Sequence, residues 1–161
     1  MGRGYQRTLQ SGDRAPDQPL VTLDGDPVRT PGLWRDAPAL LAFYKASCPT
    51  CQLTMPFLER LRAGGARVFA IAQDPPATVR AFNSEFDIPD MPTFIDPAAQ
   101  GYPASDAFGL THVPSLFFVQ PDGLIAWDSV GFVRLDLEDL AQRLGIPIFH
   151  NGDIVPAAKA G

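Results

Sequence analysis

The sequence predicts an α/β domain with parallel core strands, and three features lead there. Apolar segments of strand length alternate with segments of helical periodicity. The 17 prolines and 14 glycines fall at segment edges and not in one tract, and the two cysteines stand one helical turn apart just past a buried strand. The chain divides into an extended polar segment over residues 1–17, a domain over 18–145 and a tail over 146–161.

Leu20-Val21-Thr22-Leu23, the Asp24-Gly25 pair and Val28-Arg29-Thr30 read as an N-terminal β-hairpin, and Trp34 follows in a loop as a packing residue. Ala39-Leu40-Leu41-Ala42-Phe43-Tyr44 is continuously apolar, the pattern of a strand buried on both faces of a sheet. A helix begins at Pro49, where a missing N–H costs nothing. Leu53, Phe57, Leu58 and Leu61 form its apolar stripe, Pro56 should kink it and Gly64-Gly65 stops it. Arg67-Val68-Phe69-Ala70-Ile71-Ala72 makes a second core strand, and a helix from Pro76 to about Phe86 turns Val79 and Phe82 inward. Pro89, Pro92 and Pro97 bracket a short strand, Thr93-Phe94-Ile95, with a helical stretch from Ser105 to Leu110 after it. Val113-Pro114 leads into a strand over Leu116–Gln120, Pro121-Asp122-Gly123 turns, and Leu124–Val130 returns antiparallel. Leu137, Leu140, Ala141 and Leu144 fall at i, i+3, i+4 and i+7 of a last helix that Gly145 ends. The tail is apolar at Ile146-Pro147-Ile148-Phe149 and has no period; it docks on the domain or on a second subunit.

A chain of 161 residues suits one domain and buries roughly 70% of its unfolded surface, so neither disulfide nor metal is needed to hold it. A formal charge of −5, with the 13 basic residues scattered, provides no footprint for nucleic acid. Met1–Arg7 lacks the apolar core and cleavage site of a secretory signal, and no apolar run reaches the roughly 18 residues of a membrane span. The expectation is a cytoplasmic protein, monomeric or weakly dimeric, with no membrane association.

Cys48-Pro49-Thr50-Cys51 carries the chemistry. A cysteine at a helix start meets unpaired N–H groups and the positive end of the helix dipole, which favour thiolate over thiol, so Cys48 is the attacking nucleophile. Cys51, on the same helix face, is within reach to resolve a mixed disulfide. Two plainer readings compete. A structural disulfide across so short a loop removes little unfolded-chain entropy. A metal site would need His112 and His150, far along the chain and far from each other. No metal and no bound cofactor are expected.

With these elements in place the sequence resembles the thioredoxin superfamily, and within it the redoxin branch of alkyl hydroperoxide reductase and thiol-specific antioxidant proteins. The resemblance rests on Cys48-Pro49-Thr50-Cys51 after a buried strand, Pro56 five residues beyond the second cysteine, and Val113-Pro114 before a hydrophobic strand. It extends to the order Phe94-Ile95-Asp96-Pro97, Phe108-Gly109, Phe117-Phe118-Val119, Pro121-Asp122-Gly123, Ile125 and Gly131. It covers roughly Ser11 to Leu144. It implies a thioredoxin-like fold: a central mixed β-sheet flanked by helices, with the N-terminal hairpin and an insertion before the cis-proline strand. It also implies a cis bond before Pro114, beside the cysteines, with the backbone of Val113 pairing to an extended stretch of substrate. Pro49, Thr50, Val113 and Pro114 are then the substrate-binding set. Lys45 and His112, at the rim, are candidate modulators of the pair.

The chain also departs from that pattern. Thioredoxins carry a buried aspartate six residues before the first cysteine and a tryptophan immediately before it, and here those places hold Ala42 and Ser47. Some redoxins place a glutamate three residues after the second cysteine, and here Thr54 stands there. The usual proton acceptor for Cys51 is absent. Peroxiredoxins place a threonine three residues before the attacking cysteine and an arginine later, whereas here Lys45 holds the first place and no arginine occurs between Arg80 and Arg134. The leading reading is a thiol–disulfide oxidoreductase working on disulfide or dithiol proteins with a thiol reductant system. The alternatives are a peroxiredoxin-like thiol peroxidase and a thioredoxin-fold binding module with a weakly active pair.

Overall fold

The computed structural model describes residues 7–161, so residues 1–6 of the expected N-terminal segment lie outside the described residues. In chain order the strands are β1 (Pro19–Thr22), β2 (Pro27–Arg29), β3 (Ala39–Tyr44), β4 (Val68–Ala72), β5 (Thr93–Ile95), β6 (Ser115–Val119), β7 (Ile125–Val130), β8 (Phe132–Val133) and β9 (Ala158–Lys159). The helices are α1 (Pro49–Ala63), α2 (Pro76–Glu85), α3 (Pro103–Ala107) and α4 (Arg134–Leu144). One seven-stranded sheet runs β2-β1-β5-β4-β3-β6-β7, and β8 pairs with β9 alone. β3, β4 and β5 are parallel, while β6, β7, β1 and β2 add antiparallel partners on either side. The expected mixed sheet, N-terminal hairpin and flanking helices are all present.

All six residues of β3 are buried because both sheet faces are covered. Leu40, Ala42 and Tyr44 point into a core shared with α1, α2 and α4. Ala39, Leu41 and Phe43 point into a second core with Leu33, Trp34, Phe108 and Phe117. Trp34 is only 4% exposed, the packing residue expected.

Two elements differ from the sequence pattern. In α1 the buried face is Thr50, Cys51, Thr54, Met55, Leu58 and Leu61, while Leu53 and Phe57 are half-buried. Turning Cys51 inward rotates Leu53 and Phe57 onto the flank, where Phe57 meets Phe149 of the tail at 5.1 Å between ring centroids. The helix continues through Pro56 to Ala63. The short helix expected over Ser105–Leu110 lies two residues earlier, at Pro103–Ala107. There the buried Asp96 carboxylate accepts from the N–H groups of Ala104 (3.0 Å) and Ser105 (2.7 Å), capping its first turn.

Strand direction then gathers four connections at one edge of the sheet. β3 and β4 are parallel and end side by side, Tyr44 opposite Ala72. β6 is antiparallel to β3 and starts there, with Ser115 opposite Phe43, and β7 ends there, with Val130 opposite Ser115. The loops that carry Cys48, Asp74, Pro114 and Gly131 therefore issue from the same edge.

The tail docks on its own domain. Ile148 is 2% exposed, Arg60 of α1 donates to the Ile148 carbonyl at 2.9 Å and forms an ion pair with Asp153 at 2.6 Å, and β9 lies antiparallel to β8.

Candidate active site

Cys48 is the residue from which α1 begins. Its backbone is extended, Pro49 occupies the first helical position, and its sulfur accepts the N–H of Cys51 at 3.1 Å, serving as the helix cap. On its other side the Cys48 thiol donates to the carbonyl oxygen of Val113 at 3.4 Å. Val113-Pro114 is a cis peptide, as the resemblance implies, and Ser115 Oγ donates to the His112 carbonyl at 2.7 Å, fixing the loop before it.

Cys51, one turn on, is fully buried. Burial pushes its thiol well above the ordinary range, and the hydrogen bond with Cys48 and the charges of Cys48 and Asp74 push the same way, against a backbone hydrogen bond from Lys45. Both cysteines are free thiols. An accessible sulfur thus stands over a protonated one on a single helical turn, the arrangement that dithiol exchange requires.

The four residues expected from the sequence to bind substrate lie around Cys48 or on the loop that faces it. Pro49 is exposed beside Cys48, Pro114 is buried against the strand start, and Val113 contacts both cores. Thr50 is 2% exposed and its hydroxyl donates to the carbonyl of Ala160 at 2.6 Å, a tail contact without any sequence signal. Lys45 and His112 are exposed at the rim, His112 Nδ1 lying 3.0 Å from Thr111 Oγ1. Together with Gln73, Leu110, Thr111, Val113 and Gly161 of the tail they line an open cleft of about 270 Å³.

The places where the resemblance puts a proton acceptor hold chemically inert side chains here. Ala42 is buried in β3, and Thr54, fully buried, donates its hydroxyl to the Thr50 carbonyl at 2.7 Å. The carboxylate whose charge does reach Cys51 is that of Asp74, half-buried just past β4, which accepts the Ala46 N–H at 2.9 Å. A signal for it existed: the parallel strand over 67–72 ends at the edge where β3 delivers Cys48, so residues just past its end fall beside the cysteines.

Residues 11–128 match the AhpC/TSA family. The chain is 26% identical over 121 residues to thiol-disulfide oxidoreductase ResA of Halalkalibacterium halodurans, covering 72% of this chain and 66% of that one. It therefore spans slightly less than two thirds of that relative's length. In structure it is similar to a putative thiol:disulfide interchange protein DsbE from Chlorobium tepidum, with a TM-score of 0.71 and 24% identity over 85% of this chain and 96% of that one. It is also similar to a peroxiredoxin-like protein from Aquifex aeolicus, with a TM-score of 0.68 and 18% identity over 87% and 90%. These structural likenesses establish the thioredoxin-like fold.

Proposed function

Because the chain belongs to the AhpC/TSA family, we propose that it is a thiol–disulfide oxidoreductase, and the placement of Cys48 above a buried Cys51 is the observation that carries this reading. The Cys48 thiolate attacks a substrate disulfide, forming a mixed disulfide and releasing one substrate sulfur as thiolate. Cys51 loses its proton and attacks the Cys48 sulfur, forming the Cys48–Cys51 disulfide and expelling the second substrate thiolate. The substrate gains two electrons and the protein loses two, and the protons of the two protein thiols end on the two released sulfurs. Run backwards, the same steps oxidise a dithiol. Val113 and Pro114 shape the groove, and Pro49 and Thr50 tune the couple. The likeness to a thiol-disulfide oxidoreductase supports disulfide or dithiol proteins as substrates, cycled by a thiol reductant.

The test is the reduction potential of the pair, by equilibration in defined thiol–disulfide buffers and mass counting of alkylated cysteines. One two-electron transition is expected, and its absence would sink the proposal. A value near about −270 mV marks a reductant suited to the cytoplasm, and one near about −120 mV an oxidant of an extracytoplasmic compartment.

A peroxiredoxin-like thiol peroxidase is the second reading, favoured by the likeness to the Aquifex aeolicus protein. Against it, Lys45 stands where a threonine is needed. The first arginine beyond Arg80, Arg134, is engaged by Glu138 at 3.0 Å and lies over the Phe149 ring. Saturable hydrogen peroxide consumption far above that of a free thiol would reverse the order of the two.

A further inference from the structure

The tail changes character along its length. Up to Val155 it is a hook, with Ile148 buried, Phe149 packed against Phe57 and Phe132, and Asp153 held by Arg60. Ile154 is 98% exposed, but Val155 still packs against the core and is the last residue of the hook. Beyond it Ala157-Ala158-Lys159-Ala160-Gly161, four of its five side chains small or absent, runs exposed across the mouth of the cysteine site.

Its attachments lie at the substrate-binding set. Arg134 N–H donates to the Ala157 carbonyl at 2.9 Å, the β8–β9 ladder is two residues long, and Thr50 Oγ donates to the Ala160 carbonyl. The Lys159 carbonyl lies so close to Gly131 that a Cβ there would come within 2.8 Å of it. Gly161 presses on Val113, where a Cβ would overlap the very carbonyl oxygen that receives the Cys48 thiol. These are a few hydrogen bonds of modest net worth, the one from Thr50 part-buried, and no side chain of the segment itself is buried to reinforce them.

We propose that Ala157–Gly161 is a displaceable strap that occupies the groove for an extended substrate and so sets the substrate class. A small disulfide meets the half-exposed Cys48 sulfur without pairing to Val113, whereas a protein segment pairs with Val113 only after displacing the strap. The inference rests on the oxidoreductase reading for its catalytic consequence, but not for the occlusion itself.

The test compares the full chain with a chain ending at Pro156 and with Gly161→Ala, whose methyl has no room against Val113. Both variants leave the hook intact, and thermal melting checks that they fold. In both, the rate of mixed-disulfide formation with insulin rises about tenfold, while that with cystamine stays within about twofold. Independently of turnover, a polymer-linked maleimide labels Cys48 faster in both variants while iodoacetamide labels it at an unchanged rate. An insulin-to-cystamine ratio and a maleimide-to-iodoacetamide ratio that stay at the full-chain values in both variants would overturn the strap. If all three proteins are inert toward cystamine, the oxidoreductase reading falls and the labelling ratio alone decides the strap.

Discussion

The two cysteines share one helical turn and little else. Cys48 sits half-exposed at the start of α1 with a carbonyl on one side and an N–H on the other, both from backbone. Cys51 is fully buried among Tyr44, Met55 and the apolar face of α1, and its thiol is held above the usual range chiefly by that burial. The helix periodicity that puts both sulfurs on one face also makes them unequal, since the cap residue Cys48 lies at the rim of the fold while Cys51 within the first turn already faces its core. The proposed division into attack by Cys48 and resolution by Cys51 rests on that inequality.

Removing each sulfur breaks the comparison most sharply. Cys48→Ser is expected to abolish turnover and mixed-disulfide formation alike, while Cys51→Ser should still attack and then stall as a stable mixed disulfide visible by mass. Activity surviving in Cys48→Ser, or trapping by Cys48 and Cys51 in equal measure, would undo the assignment. A gentler version uses the unaltered reduced protein. Iodoacetamide should modify Cys48 on the order of a hundredfold faster than Cys51, as peptide mapping at short times would show, because the thiolate of a buried thiol is both scarce and shielded.

The inequality was half legible in the sequence. The Cys-x-x-Cys spacing, the Pro49 start and the buried strand 39–44 place Cys48 at a helix end, and Val113-Pro114 places the partner loop by resemblance. The depth of Cys51 is less plain, because Leu53 and Phe57 pull the apolar stripe of Leu58 and Leu61 one step round the helix from the face that meets the sheet. Those two residues are apolar for another reason: Phe57 packs against Phe149 of the tail, a long-range contact without a local period. The tail itself was illegible beyond its apolar start. Its last residues act through backbone carbonyls, to Thr50 and Arg134, and backbone hydrogen bonds carry no side-chain signature. Asp74 carries no local motif, since it lies in a loop far from the cysteines in sequence, although strand direction puts it at the same edge.

Burial of the Cys51 thiol also makes stability depend on pH. A group whose pKa is raised by folding holds its proton longer in the native state, so stability is complete below the unfolded value, about 8.5 for a cysteine, and is lost as pH rises above it. The reduced protein should therefore lose up to about tenfold in its folding equilibrium constant per pH unit above that point, and a Cys51→Ala variant should show less of this loss. Urea unfolding in excess reductant at a series of alkaline pH values measures it. Parallel curves for the two proteins would mean that Cys51 is no deeper than Cys48.

The finest test concerns Asp74, the last and smallest of the influences that hold the Cys51 proton. Asp74→Asn keeps an oxygen to accept the Ala46 N–H and removes only the charge, so the loop should stay in place. Without that charge the Cys51 thiolate is less disfavoured, and the resolving step, followed by release of the leaving thiol from a preformed Cys48 mixed disulfide, should quicken a few-fold at neutral pH. Its pH profile should move toward lower pH. If the step instead slows with its profile flattened, Asp74 is taking the Cys51 proton. That would give this chain the acceptor missing from the places held by Ala42 and Thr54, where the resemblance puts one.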